Sequence, residues 1–239
     1  MKHLIETTDL NSLPIAEYDR LILDSTKNEI IYRGGVNTNG HSYVDLGLPS
    51  GTLWATMNVG ATSETDYGGY FMWGSTTPNT NTTCDWTNAP FNNGSSSYNE
   101  EYFNTHKSEW LDNNGNLKPE FDAATHIMGG DWRMPTKAEI QELLDNTTNE
   151  GITNYKGTGV FGCKFTSKTD ASKYVFIPAA GSRNGGSVNY VGGIIYVWSS
   201  SLYTSNPCYA WNLMVDLYGW NINYYLGDRY YGYAVRGVL

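Results

Sequence analysis

Pro135-Thr136-Lys137-Ala138-Glu139-Ile140-Gln141-Glu142-Leu143-Leu144-Asp145-Asn146 carries the clearest structural signal in the chain. Thr136 followed three residues later by Glu139 is a capping box. The hydroxyl and the carboxylate each satisfy a main-chain N–H that a helix start leaves unpaired. Ala138, Ile140, Leu143 and Leu144 give the following turns an apolar side, and Asn146 is a natural stop. A second helix is expected upstream, opened by Pro119-Glu120, running through Phe121 to about Met128 and ended by Gly129-Gly130.

Around these two helices the chain breaks into short apolar segments separated by Gly, Asn and Ser. Val44-Asp45-Leu46, Thr52-Leu53-Trp54-Ala55 and Gly69-Tyr70-Phe71-Met72-Trp73 read as strands. So do Gly162 to Thr166, Tyr174 to Ile177, Ile194 to Trp198, Ala210 to Val215, and Tyr233 to Val238. Residues 79–99 are rich in Asn, Thr and Ser, with few apolar anchors beyond Trp86 and Phe91, and read as a long surface loop. Two helices among many short strands predict an α+β domain. Ahead of it, Arg20-Leu21-Ile22-Leu23-Asp24 and Glu29-Ile30-Ile31-Tyr32-Arg33 flank Ser25-Thr26-Lys27-Asn28 in the manner of a β-hairpin. Gly34-Gly35 and Asn37-Thr38-Asn39-Gly40 then mark a boundary between a hairpin attachment segment (1–40) and the main domain (41–239). An isolated hairpin is marginal in water, so this one is expected to pack on the domain or on other subunits, giving a route to a homo-oligomer.

Composition narrows the function. Of 239 residues, 40% are hydrophobic, enough for a packed core, and only 16% are charged, so much of the surface is neutral and polar. A net charge of −9 excludes a nucleic-acid partner, which demands a basic face. No apolar run is long enough to span a membrane, and the first residues, with Glu6 and Asp9, lack the apolar region of a signal peptide. The three cysteines are widely spaced and fit neither a disulfide framework nor a zinc site.

The last third is chemically different from the rest. Residues 1–173 contain 11 Glu, 1 Gln and 9 Lys, whereas residues 174–239 contain none of the three. At the earlier frequency about 8 are expected. The tail instead holds 11 of the 19 tyrosines, and its Arg183, Arg229 and Arg236 against Asp216 and Asp228 leave it at +1 while the remaining residues carry −10. Tyr, Ser, Gly and Asn are the residues of antibody binding loops: tyrosine gives a large amphipathic contact at a cost of two frozen torsions, and the small polar residues adapt their hydrogen bonds. The plainer reading is a tyrosine-rich β core, since tyrosine favours strands. Tyr224-Tyr225 and Tyr230-Tyr231 argue against it, because strand neighbours point to opposite faces and one of each pair must then face outward.

Tyr43-Val44-Asp45-Leu46-Gly47-Leu48-Pro49-Ser50-Gly51-Thr52-Leu53-Trp54-Ala55, Tyr70-Phe71-Met72-Trp73-Gly74, Asp131-Trp132-Arg133-Met134-Pro135-Thr136-Lys137-Ala138-Glu139, Trp198-Ser199-Ser200-Ser201 and the closing Tyr233-Ala234-Val235-Arg236-Gly237-Val238 resemble the bacterial major paralogous domain, over about His41 to Leu239. The Arg-Met-Pro-Thr-x-x-Glu segment also resembles the core of the formylglycine-generating enzymes. The resemblance implies a C-type lectin-like fold with two helices and several short, mainly antiparallel strands. A subset of that fold forms the variable proteins of diversity-generating retroelements, including phage tropism determinants. In that subset, adenines of a template copy are mutated, and a randomised asparagine codon can yield Tyr, Ser, Asp, Ile, Val, Cys, Leu, Gly or Arg, among others, but never Glu, Gln, Lys, Met or Trp. By that resemblance residues 184–233 are the variable region. Trp198, Trp211, Met214 and Trp220 are then fixed scaffold, and Ile194, Ile195, Cys208, Val215 and Leu226 are products of randomisation.

Catalytic chemistry fits poorly. The copper-holding cysteine pair of a formylglycine-generating enzyme is missing, since only Cys208 lies in the tail and Cys163 is far upstream. His3, His41, His106 and His126 show no metal-ligand spacing, and Glu100-Glu101 reads as a solvated pair in a polar loop. The Glu-Pro-Asn, Gln-Pro-Asp and Trp-Asn-Asp motifs of calcium-dependent lectins are absent, and the tail offers few carboxylates. Arg236 is expected to be a buried, hydrogen-bonded scaffold residue. No catalytic residue, metal or cofactor is expected. The function expected is receptor binding without catalysis, in a phage tail or fibre made in the host cytoplasm, with a protein or glycan on a bacterial surface as partner. A fixed bacterial surface adhesin, and after it an oxidase of the formylglycine-generating type, are the alternatives. The expected contact residues are Tyr190, Ile194, Ile195 and Tyr196, then Tyr203, Cys208, Tyr209, Val215 and Tyr218, then Tyr224, Tyr225, Asp228, Tyr230 and Tyr231.

Overall fold

The helix opened by Thr136 spans Lys137–Asn146 (α3), and its capping box is closed on both sides: Glu139 N donates to Thr136 Oγ1 at 3.3 Å and Thr136 N to Glu139 Oε2 at 2.8 Å. Arg133 clamps the same carboxylate at 2.8 and 2.5 Å, so Arg133 to Glu139 folds back on itself before the helix begins. Ile140 and Leu143 carry the buried side. The computed structural model describes the main chain of residues 21–24, 29–32, 35–36, 39–219 and 221–239, with side chains from Asn39 onward. The expected hairpin turn at 25–28, the boundary residues 33–34 and 37–38, and Trp220 lie outside the described residues.

The fold is α+β, with three α-helices and several small antiparallel sheets among the described residues. Leu21–Asp24 (β1) and Glu29–Tyr32 (β2) form the expected hairpin. Gly35–Val36 (β3), within the expected boundary loop, pairs with Ser42–Asp45 (β4). β4 in turn pairs with Leu53–Asn58 (β5), and β5 with the C-terminal Arg236–Val238 (β14). Thr147–Ile152 (β6), Gly162–Ser167 (β7) and Tyr174–Pro178 (β8) make a meander directly after α3. Ser182–Asn184 (β9) and Ser187–Asn189 (β10) form a short hairpin. Ile194–Leu202 (β11), Tyr209–Asp216 (β12) and Asn221–Asp228 (β13) form the three-stranded sheet that contains most of the tail. Residues 69–73 are not a strand, only a single bridge from Phe71 to Tyr233.

The helices differ from expectation in two places. The expected helix from Pro119 is broken at Asp122, which is extended (φ −95°, ψ 118°) and caps a separate helix, Ala123–Met128 (α2). Its two carboxylate oxygens accept from Thr125 N and Met134 N at 2.9 and 2.8 Å, so the break ties α2 to the entry of α3. Glu100–Trp110 (α1) stands where a polar loop is expected at Glu100-Glu101; these two residues form its first turn, where carboxylates favour the helix dipole, and Asn99 caps it. Its apolar signal is weak because only Phe103 and Trp110 are buried, while Tyr102, His106 and Trp110 stack one turn apart on its side.

Residues 79–99 contain no helix or strand, yet they are more than a surface loop. Asn92 is fully buried and donates to the carbonyls of Trp86, Ser95 and Ser97, while its Oδ1 accepts from Asn99 N. Phe91 stacks on Trp110 at 4.4 Å. The loop is thereby fastened to a core that contains Trp73, Trp132, Trp198 and Tyr233, while a second core under α3 gathers Trp54, Ile140, Phe165 and Ile177.

Candidate binding face

The β11–β12–β13 sheet lays one face on the core under α3; the other buries Trp198, Asn212 and Ala210 at one end and is open toward the Ile194–Asn221 end. Alternation along paired strands places Ile195, Val215 and Ile222 in one row across the sheet and Val197, Leu213 and Tyr224 in the next, all on the α3 side. Ile195 and Val215, expected as contact residues, are therefore corrected to core: they are 1% and 0% exposed. Their β-branched side chains fill the half-buried sheet surface for which such residues are suited.

The opposite face carries Ile194, Asp216 and Asn221 in one row, Tyr196, Met214 and Asn223 in the next, and Asn212 beside Tyr225. Tyr196 stacks on Tyr233 (4.6 Å between ring centres), Tyr233 on Tyr231 (5.7 Å), Tyr231 meets Tyr230 (4.6 Å), and Tyr230 meets Trp86 of the 79–99 loop (5.2 Å). This row of rings runs off the sheet onto the loop. Among the described residues of the tail, Tyr225 (55% exposed), Tyr190 (59%) and Tyr218 (78%) are the open aromatic ones. Tyr190 sits in the left-handed region (φ 62°) in the loop that follows β10. The Tyr218 ring lies across Gly193, which has no side chain to hold it away.

The alternation argument holds for one tyrosine pair and fails for the other. Tyr225 points outward and Tyr224 toward the core side. Tyr230 and Tyr231 belong to the turn that leaves β13, and both are half-buried against one another. Tyr203 and Tyr224 are separated from the open face altogether. They flank Trp211, edge-on at 5.3 and 5.4 Å, on the α3 side, where Lys137 Nζ lies over the Trp211 and Tyr224 rings. Tyr209 pairs with Asp228 at the far end of β12, next to half-buried Cys208 and near the Tyr230 turn.

The face sets uncharged rings around the Asp216 carboxylate. Burial, followed by the neighbouring Tyr190 and Asp216, raises the Tyr196 phenol, and burial likewise raises Tyr230 and Tyr233, so these rings stay protonated at neutral pH. Burial also pushes the Asp228 carboxyl up. Asp216 is engaged in its own turn, accepting from Tyr218 N and Gly219 N at 2.9 and 3.1 Å.

Beneath the Tyr230 turn lies a residue that sequence reasoning counted only as a charge. Arg229 is fully buried, with Nε donating to Pro207 O (2.6 Å) and NH1 to Pro90 O (3.3 Å). The rings of Phe103, Tyr98, Trp86 and Trp73 surround its guanidinium at 4.2 to 5.8 Å. Burial brings its pKa down to about 10. No motif marks it; the only signal was an arginine beside the tyrosine pair in a segment stripped of Lys and Glu. Arg236 is the buried scaffold residue expected, donating to Ala55 O (3.0 Å) and Phe176 O (2.9 Å).

A cleft of about 560 Å³ lies elsewhere, lined by Lys107, Asp112, Asn114, Lys118, Leu202 and Pro207 among others, and none of the expected contact residues lines it. Among the described residues no group of three or more His, Cys, Asp or Glu side chains is placed to hold a metal ion, and no helix is long and apolar enough to cross a membrane. No protein-family model, curated protein or solved structure matches the chain.

Proposed function

We propose that this chain is a non-enzymatic receptor-binding protein with a C-type lectin-like fold, whose open β11–β12–β13 face engages a protein or glycan on a bacterial surface. Adenine-directed retroelement mutagenesis diversifies that face, and the protein serves as a phage tropism determinant, attached to a tail or fibre through residues 1–40. The observation that carries the reading is convergence: tyrosines drawn from a loop (Tyr190), two strands (Tyr196, Tyr225) and a turn (Tyr230, Tyr231) meet on one ring-rich surface. Such a surface suits binding by aromatic area and adaptable hydrogen bonds, with avidity from several copies.

The burial of Ile195 and Val215 favours a second reading, a fixed surface adhesin of the same family. Core packing accounts for those two residues without mutation. Both readings place the ligand on the same face. In the full chain, Tyr190, Tyr196, Tyr225 and Tyr231 all changed to Ala should abolish binding to receptor-bearing cells and keep a cooperative melt. Tyr203→Ala on the other face should bind as wild type. Unchanged binding by the fourfold variant rejects the face.

A further inference from the structure

β13 is the outer strand of its sheet, and no described strand other than β12 pairs with it. Which of its main-chain groups face outward follows from β12. Tyr209 O accepts from Tyr203 N and Trp211 O from Ser199 Oγ, both on the β11 side. Peptide groups alternate sides along a strand, so Ala210, Asn212 and Met214 turn toward β13 and bond with Gly227, Tyr225 and Asn223. Asn212 Nδ2 reinforces this at Tyr225 O (3.2 Å). The N–H and C=O groups of Ile222, Tyr224 and Leu226 therefore point away from the sheet, and none of them has a main-chain partner among the described residues.

Natural edge strands are blunted by lysine, proline, bulges or shortness. β13 has none of these: it is eight residues long, its register with β12 is unbroken, it has no proline, and its one charged residue is Asp228 at its end. The strand is also complementary to itself. In an antiparallel pairing centred on Tyr224, Tyr224 meets Tyr224 of a second copy, Ile222 meets Leu226, and Asn223 meets Tyr225. Every outward N–H then finds a carbonyl, the apolar side chains meet on the α3 side, and no like charges are opposed.

We propose that β13 is a dimerisation edge, at which a second copy of this chain adds in antiparallel register about Tyr224. The pair has two-fold symmetry and continues the open face of one copy into that of the other, doubling the recognition surface. The edge contact is small beside a standard interface, so the dimer is weak, on the order of 10 µM. Each copy carries −9, so association tightens as salt screens the repulsion.

Sedimentation of the full chain from about 1 to about 200 µM tests this. A monomer–dimer equilibrium is expected, tighter by several-fold when salt rises from about 20 to about 300 mM. Tyr224→Glu sets two carboxylates opposite one another in the dimer while leaving each near Lys137 of its own chain, and should weaken association at least roughly tenfold. A dimer formed through residues 1–40 would be indifferent to that change. In a Cys208→Ser background, Tyr224→Cys should cross-link to itself on oxidation, since directly paired residues lie ~5.5 Å apart at Cα, within disulfide reach. Ile222→Cys, facing Leu226, should not. A chain that stays monomeric throughout, a dimer insensitive to Tyr224→Glu, or equal cross-linking at 222 and 224 overturns the proposal, and binding of an unrelated strand-forming peptide by a monomeric chain would assign the edge to another partner. The cross-link decides the matter if Tyr224→Glu fails to fold.

Discussion

Arg229 shows how a single residue holds the candidate face in place. Its guanidinium reaches Pro90 of the 79–99 loop and Pro207 before β12, while its own main chain starts the turn that presents Tyr230 and Tyr231. Arg229→Met keeps much of the stem but leaves two buried carbonyls without their donor, so it should cost about 2–4 kcal/mol in urea unfolding and loosen the turn as well. Arg229→Lys should recover little, because one ammonium cannot replace a fork aimed at two carbonyls. The tyrosines set the alkaline limit. Burial raises the phenols of Tyr70 and Tyr98 to about 12, and raises Tyr196 as well. A phenol whose folded pKa exceeds the unfolded value stabilises the fold fully below about pH 10, and that contribution is lost as pH rises through the folded pKa. Arg229 and Arg236, depressed to about 10 and about 9, act in the opposite sense. The raised phenols, Tyr230 and Tyr233 among them, outnumber the two arginines, so stability should fall between about pH 10 and 12. Phenol absorbance at 295 nm followed against unfolding would show it, and ionisation of every tyrosine near 10 in the folded protein would contradict the burial described.

At the scale of elements, the two faces of the sheet differ in how much they bury, and the difference gives separable predictions. Val215→Ala opens a cavity under α3 and should cost about 1–3 kcal/mol while leaving binding by the folded protein intact. Tyr225→Ala on the open face should move stability by less than about 0.5 kcal/mol and reduce binding. Thr136→Ala removes half of the capping box and should cost about 1 kcal/mol. The elements legible in the sequence were those whose signals are local. α3 announces itself through Thr136 and Glu139, the hairpin β1–β2 through two apolar runs, and β7, β8, β11 and β12 through compact apolar stretches. α1 was missed because tertiary contacts of Phe103 and Trp110 stabilise it rather than a broad apolar stripe. The break at Asp122 was missed because its second partner, Met134 N, is reached only through the fold. β13 was missed because its pattern of Asn and Tyr is that of an edge with little to bury. For the candidate site, composition located the segment, but burial of Ile195 and Val215, the crossing of Tyr203 and Tyr224 to the α3 side, and the place of Arg229 all depend on register.

At the scale of the molecule, a scaffold tied by Arg229 and Arg236 supports an outer surface poor in charge and rich in rings. Within the candidate face, Tyr190, Asn223 and Tyr225 are exposed and can vary without touching either core, whereas Tyr196 and Tyr231 pack against the core of Trp198 and Tyr233. The diversification proposed above would therefore make a pattern that can be checked position by position. The decisive measurement is the sequence of the encoding locus, aligned with any near-copy of its 3′ end beside a reverse-transcriptase gene. The account predicts that copy and gene differ only where the copy has adenine, with the changed codons at open-face positions such as Tyr190, Tyr196, Tyr225, Tyr230 and Tyr231, and with Ile195, Val215, Arg229 and Arg236 unchanged. A locus with no such copy, or one whose differences fall on the buried rows of the sheet, would contradict it.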